Sequence, residues 1–441
     1  MVFIEGFNFS VIVQLLFGSE EDGFVNLHSL ILIIGMMIIV QISNEAGVFQ
    51  FIASKLIKFS GGNPIKLMII LCSVTVLISA ILNNILAVII LIPLTITISR
   101  ILNINPSPYI LTQAVLVNVG GTVFSISSIP NILITTTAGI EFLEFFLNVG
   151  LVSLFIFILT TLFFILIYRK ELVIAEGGEK ILEEFNVWNV VQNKNLLYKC
   201  SIVLIILFTL FVIVPSSLLT PDIIALSLAL ILVIISKLDE KEIISSIDFE
   251  LIFYLIGIFI IAGGLELTGV TEAIGVGLLS IGDVSLYIQM LIVLWFSAYL
   301  SSAIDNIPIT KVLIPSIVQI GQSLPVSERN KVFYSLAFGA NWGDNLTPLG
   351  DNILVINLAE KNKRPISFKQ FFKLGFITTN YQLIILSIYF TFLDNFVNGM
   401  FISIVCFALI LIITLLSKKG PKKIRIKLNK ILEKARNFII R

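Results

Sequence analysis

The sequence predicts an all-α integral membrane protein of about ten transmembrane passes, built as two inverted repeats that each hold a re-entrant hairpin and a broken helix. Three observations predict it. Hydrophobic residues make up 57% of the 441 residues, while Lys, Arg, Asp and Glu make up 13%, about half the share in a soluble domain. The charges lie between apolar runs of roughly 16 to 22 residues, long enough to cross a bilayer. Gly35 recurs as Gly257, Gly47 as Gly269, Ser79 as Ser301, Asn84 as Asn306 and Pro93 as Pro315, all at one shift of 222 residues. Agreement of such residues among aliphatic ones marks a duplication, the usual architecture of a transporter.

In order, the first repeat (1–168) reads as helices near 3–17, 27–43, 65–80, 85–99, 109–125 with a continuation after Asn131, and 142–168. A charged linker at 169–199 leads to the second repeat (200–393). Its helices lie near 200–214, 222–236, 251–267, 286–303, 306–321, 332–342 with a continuation after Asp351, and 372–393. An extra helix follows within 394–416, and a basic tail at 417–441 closes the chain with Lys418, Lys419, Lys422, Lys423, Arg425 and Lys427. The helix at 200–214 has no upstream counterpart at the shift. The C-terminal helix at 397–416 is therefore expected to fill that place, the alternative being a helix missing before Met1.

The polar tips LNNI (82–85) and IDNIP (304–308) interrupt paired apolar arms, the pattern of a re-entrant hairpin. The segments NVGGTVFSISSIPN (118–131) and NWGDNLTPLGDN (341–352) are polar, Gly- and Pro-containing breaks. Backbone freed from a helix at membrane depth is tolerated only where protein or a water-filled cavity satisfies it, so these breaks should line a site. With the N-terminus inside, Lys55, Lys58, Lys66, Arg100, the 169–199 linker, Lys237, Lys241, the segment 361–373 and the tail all fall inside; only Arg329 and Lys331 fall outside. That obeys the positive-inside rule. It puts both termini in the cytoplasm of a cell-membrane protein, and an odd number of passes between equivalent helices inverts the second repeat.

A net charge of +1 argues against a nucleic-acid partner and leaves the lipid bilayer as the surroundings. Cys72, Cys200 and Cys406 lie in or beside apolar runs and read as core residues without a disulfide framework. The lone His28 reads as interfacial, since one histidine builds neither a metal cluster nor a triad. The first 17 residues lack both Lys and Arg and a small-residue cleavage site, so no cleavable signal peptide is expected. There is no nucleotide-binding loop.

The chemistry lies in the tips and breaks. The first half offers Asn83, Asn84, Thr122, Ser125, Ser127, Ser128 and Asn131; the second offers Asp305, Asn306, Asp344, Asn345, Thr347, Asp351 and Asn352. Only the second half has carboxylates. An ionisable group within the membrane is costly and marks function, which makes Asp305 the candidate coupling-ion or proton group, with sodium at Asp305 and Asn306. Asp351 reads equally as a helix cap. Lys311 either snorkels to the surface or pairs with one of the three aspartates, in a place sodium would otherwise take. Paired aspartates suggest an intramembrane protease, but no tyrosine-aspartate partner segment is present and the duplication speaks against an enzyme.

The segments SSAIDNIPITKVLIP (301–315), GANWGDNLTPLGD (339–351) and VGGTVFSISSIPN (119–131), with the paired openings at 33–49 and 255–270, resemble the ion transporter superfamily. That group includes arsenite permeases, related sodium-proton antiporters, citrate permeases and the melanosomal P-protein. The resemblance implies that Asn83, Asn84, Asp305, Asn306 and the breaks at 120–131 and 343–352 form substrate and cation sites. The chain departs from the family at the first tip, often acidic elsewhere, at Ser127-Ser128-Ile129-Pro130-Asn131, and at Gly343-Asp344, where Gly-Gly is frequent.

These features predict a secondary active transporter without a cofactor other than bound sodium. Sodium-proton exchange is slightly favoured, and a small inorganic or organic anion of the arsenite or citrate type is the alternative. A passive channel or structural membrane subunit is the reading from another class. The sequence is compatible with a homodimer.

Overall fold

The computed structural model describes residues 9–20, 23–172, 186–191, 193–279, 285–320, 324–350, 352–419 and 421–440, and every regular element among them is helical. Two series of helices run in the same order. The first comprises Val25–Glu45, Val48–Lys58, Pro64–Ser79, Asn84–Ile101, Ser107–Gly120, Ile129–Ala138 and Phe142–Tyr168. After Lys194–Ile213, Pro221–Ser236 and Glu240–Ser246, the second comprises Phe249–Leu267, Val270–Leu279, Leu286–Ile304, Asn306–Ile320, Val326–Gly343, Asn352–Lys361 and Phe368–Asp394. Val48 and Val270, Pro64 and Leu286, and Asn84 and Asn306 start equivalent helices at the shift read from sequence.

Eight of the described helices are long and apolar enough to cross a membrane, and Pro64–Ser79 and Pro221–Ser236 are shorter apolar helices. The sequence reading passed over Val48–Lys58 and Val270–Leu279. Both are short, and Lys55, Lys58 and Glu272 interrupt their apolar content. Each begins after a glycine with positive φ, Gly47 at 77° and Gly269 at 74°, a backbone state that glycine adopts without steric cost.

Ser107–Gly120 and Val326–Gly343 form the centre, buried throughout from Pro108 to Gly120 and from Val332 to Gly343. Small residues let their neighbours approach, as in membrane bundles generally. Gly120 lies on Val76 and Ser79, and Gly343 lies on Ala298. Ser79 Oγ donates to Val117 O at 2.5 Å and Ser301 Oγ to Ala340 O at 2.6 Å. The two halves thus repeat a contact as well as a sequence.

Phe9–Phe17 packs on Phe249–Leu267, with Leu15 against Gly263, as Pro221–Ser236 packs on Val25–Glu45 at Gly35. The C-terminal helix Phe396–Lys419 lies along Phe368–Asp394 and is only 6% buried. It therefore does not fill the first-half place expected of it. The tail, read from sequence only as a run of basic residues, forms the helix Lys422–Ile440.

Candidate functional site

The chain between Pro64–Ser79 and Asn84–Ile101 turns at Ala80–Asn83, and Asn83 caps the second helix by accepting the Leu86 N–H at 2.9 Å. The equivalent turn, between Leu286–Ile304 and Asn306–Ile320, is the single residue Asp305. Its backbone sits at φ 107° and ψ 153°, a region populated almost only by glycine and costing about 1–3 kcal/mol. Asp305 Oδ1 accepts the Asn306 N–H at 2.9 Å and Oδ2 accepts the Tyr254 hydroxyl at 3.2 Å. Asn83, at φ −66°, carries no such strain.

A chain of buried amides joins the first tip to the second break. Ser79 Oγ, whose proton goes mainly to Val117 O, stands 3.1 Å from Asn84 Oδ1, and Asn84 Nδ2 donates to Asn118 Oδ1 at 2.6 Å. Asn118 Nδ2 then crosses between the halves, to Asn345 Oδ1 at 2.8 Å and Asp344 Oδ2 at 3.4 Å. Asn352 Nδ2 closes the group on Asp344 O at 3.0 Å and Asn345 Oδ1 at 3.3 Å. Asn118 was missing from the residues chosen by sequence. It opens the segment 118–131 read as the first break but stays on the helix before it, where one amide among aliphatic residues gives little signal.

The reverse crossing is made by Asn341, whose Nδ2 donates to Asn131 Oδ1 at 2.9 Å while Asn131 Nδ2 donates to Gly121 O at 2.8 Å. Beside it, Trp342 Nε1 donates to Thr122 Oγ1 at 3.0 Å, and Thr122 meets Ser153 at 2.8 Å. Each half therefore holds the break of the other.

The two acidic elements converge at Gly350. A Cβ there would lie 2.5 Å from Asp344 Oδ1 and 3.3 Å from Asp305 Oδ1. Asn352 Oδ1 and Asn341 Oδ1 are buried and meet no hydrogen-bond donor among the described residues. Asp344 is buried, Asp305 half-buried and Gly350 exposed; carboxylates brought this close repel, and a proton or cation between them removes that cost. Buried carbonyl-type oxygens without a donor are ligands of the kind a hard cation takes.

The other predicted residues are placed as follows. Ser127 Oγ donates to Ala80 O at 2.6 Å and ties the first break to the first tip. Ser128 caps Ile129–Ala138. Asn83, Ser127 and Ser128 line a cavity of about 40 Å³ with Met36 and Met37. Ser125 lines a separate cavity with His28 and Asp222. Asn306 is buried at its helix start, and Thr347 Oγ1 donates to Ser302 O at 2.7 Å. Asp351 lies outside the described residues. Lys311, expected to snorkel or to pair with an aspartate, is directed to another chamber. There its Nζ donates to Asn26 Oδ1 at 2.6 Å and stands 5.0 Å from the Phe259 ring centroid, in a space of about 480 Å³ that Glu266 and Glu272 also line. His28 Nδ1 lies 2.8 Å from Asp222 Oδ2, a pairing between distant segments that spacing alone does not reveal.

Comparison with known proteins agrees with the resemblance read from the motifs. The family model described as "Citrate transporter" matches residues 1–330. An uncharacterized transporter of Mycobacterium tuberculosis is 29% identical over 388 residues, 87% of this chain and 90% of that one. The P protein of Homo sapiens is 26% identical over 80% of this chain and 52% of its own length. In fold, the chain resembles the YdaH transporter of Alcanivorax borkumensis, whose crystal structure is described as having an unusual topology. The TM-score is 0.57 at 16% identity, covering 90% of this chain and 88% of that one.

Proposed function

The chain belongs to the citrate transporter family, and on that premise we propose that this membrane transporter is a secondary active one, driven by a proton or sodium gradient, with sodium-proton exchange favoured. The observation that carries the reading is the convergence of Asp305 and Asp344 on Gly350, beside the unpartnered Asn352 Oδ1. A carboxylate pair of this kind can give up a proton as a cation arrives. Sodium would be cargo at Asp305 and Asn306, with Asp344 and Asn352 as further oxygen donors. Asn84, Asn118 and Asn345 would hold the two halves in register around it.

In this reading the halves are inverted repeats in the cell membrane, with both termini cytoplasmic. Arg100, Lys361, Lys363 and Arg364 support that orientation, since they gather round one pocket where Arg100 Nη2 donates to Asn362 O at 2.6 Å. Such a cationic face belongs on the cytoplasmic side.

The uncharged first-half cavity lined by Asn83, Ser127 and Ser128 favours a second reading. Amide and hydroxyl groups there suit the oxygens of a carboxylate or arsenite, moved together with a cation held at the acidic tip. Flux into proteoliposomes with an imposed proton gradient separates the two. Dissipation of the gradient by sodium alone supports exchange. Dissipation only when citrate or arsenite is added supports the second reading, and collapse with no added ion identifies a channel and overturns both.

A further inference from the structure

The helix Lys422–Ile440 follows directly on the apolar helix Phe396–Lys419, so its start is held near a membrane surface by the chain itself. At about 100° per residue, Leu428, Ile431, Leu432, Ala435, Phe438 and Ile439 fall within an arc of about 120°. Arg425 and Arg436 border one edge of that arc and Lys427 and Lys434 the other, while Lys430 and the single acid Glu433 lie opposite. Cations on both flanks of an apolar stripe are the arrangement of a helix lying in the headgroup layer. The stripe is largely open, with Ile431 54% exposed and Phe438 57%, while Ile439 at its end packs against the core of the bundle.

Three contacts fix the helix against the bundle. Lys170 Nζ pairs with Glu433 at 2.8 Å. Arg436 Nε donates to Ile167 O at 2.6 Å, one of the last carbonyls of Phe142–Tyr168, which has no partner within its own helix. Lys373 Nζ stands 4.3 Å from the Phe438 ring centroid. The helix thus lies across the ends of Phe142–Tyr168 and Phe368–Asp394, the last helices of the two series.

We propose that Lys422–Ile440 is a surface helix that binds the anionic headgroups of the surrounding bilayer, its apolar stripe entering the acyl boundary and its flanking Lys and Arg engaging lipid phosphates. Charge complementarity selects this occupant, because five cations against one acid among Arg425 to Arg436 suit an anionic sheet better than a zwitterionic one. The inference does not depend on which ion is transported.

The test is hydrogen-deuterium exchange across 425–439 of the full chain. Nanodiscs of phosphatidylcholine are compared with nanodiscs of phosphatidylcholine mixed with phosphatidylglycerol. Exchange is expected to be about tenfold slower or more in the anionic discs, with the difference erased by high salt. The variant K427Q/K430Q/K434Q, which keeps Glu433 and Arg436, is expected to lose the difference. Should that variant misfold, the salt series on the native chain tests the same electrostatic attraction. Equal exchange in both lipids overturns the proposal, as does protection that follows the number of protein copies per disc, which would identify a second copy of the chain as the occupant.

Discussion

Asp305 carries both a charge and a strained backbone, and the two can be separated by substitution. Asp305→Asn keeps an acceptor for the Asn306 N–H and tolerates positive φ better than most residues, so insertion and folding are expected to be largely retained. Cation-coupled flux is expected to be lost, as measured in reconstituted vesicles at matched protein levels across a pH series. Wild-type coupling in that variant would move the role to Asp344 or Asp351. Asn118→Leu is the complementary case. It strips the acceptor from Asn84 Nδ2 and leaves Asn345 Oδ1 with only its longer bond from Asn352; a buried group left unpaired costs about 1–3 kcal/mol, and thermal unfolding in detergent is expected to show the loss. The acids were legible in the sequence because charge is rare in apolar surroundings. Asn118 was not, because its importance comes from Asn345, which lies 227 residues away, and spacing in one chain does not report a contact across the bundle.

The same division holds for helices. Long apolar runs such as Phe142–Tyr168 and Phe368–Asp394 were readable with ends close to those observed, and the repeated Gly and Asn residues marked equivalent turns. The short amphipathic helices were missed because their charges conceal a period of 3.6 residues. Glycine pairs at one shift also prove unequal in packing. A Cβ at Gly35 would meet Leu226 N at 2.8 Å, whereas at Gly257 nothing lies within 4 Å. Gly35→Ala is therefore expected to destabilise, while Gly257→Ala should be neutral or stabilising by about 0.5–1 kcal/mol, the usual gain in a helix interior; paired thermal denaturation curves check the contrast. At the tail, the hydrogen bond from Lys170 holds the Glu433 carboxyl below its ordinary range. A carboxyl with a lowered pKa contributes stability above its unfolded value and loses it as pH falls through the folded one. The Lys170–Glu433 contact should then persist through neutral pH and weaken only in acid, which tail exchange followed across a pH series would reveal.

At the scale of the whole molecule, the burial pattern separates a core from an appendage. Phe396–Lys419 contributes little buried surface, so a chain ending after Asn395 is expected to insert and to transport, with flux in vesicles as the check. The two central helices allow no such economy, since Asn118 reaches into the break of the second series and Asn341 into that of the first. This reciprocal reach makes the protein behave as a heterodimer written in a single reading frame. Divided between Leu172 and Asn193, the polypeptide should yield two fragments that are each degraded when expressed alone and are rescued by co-expression.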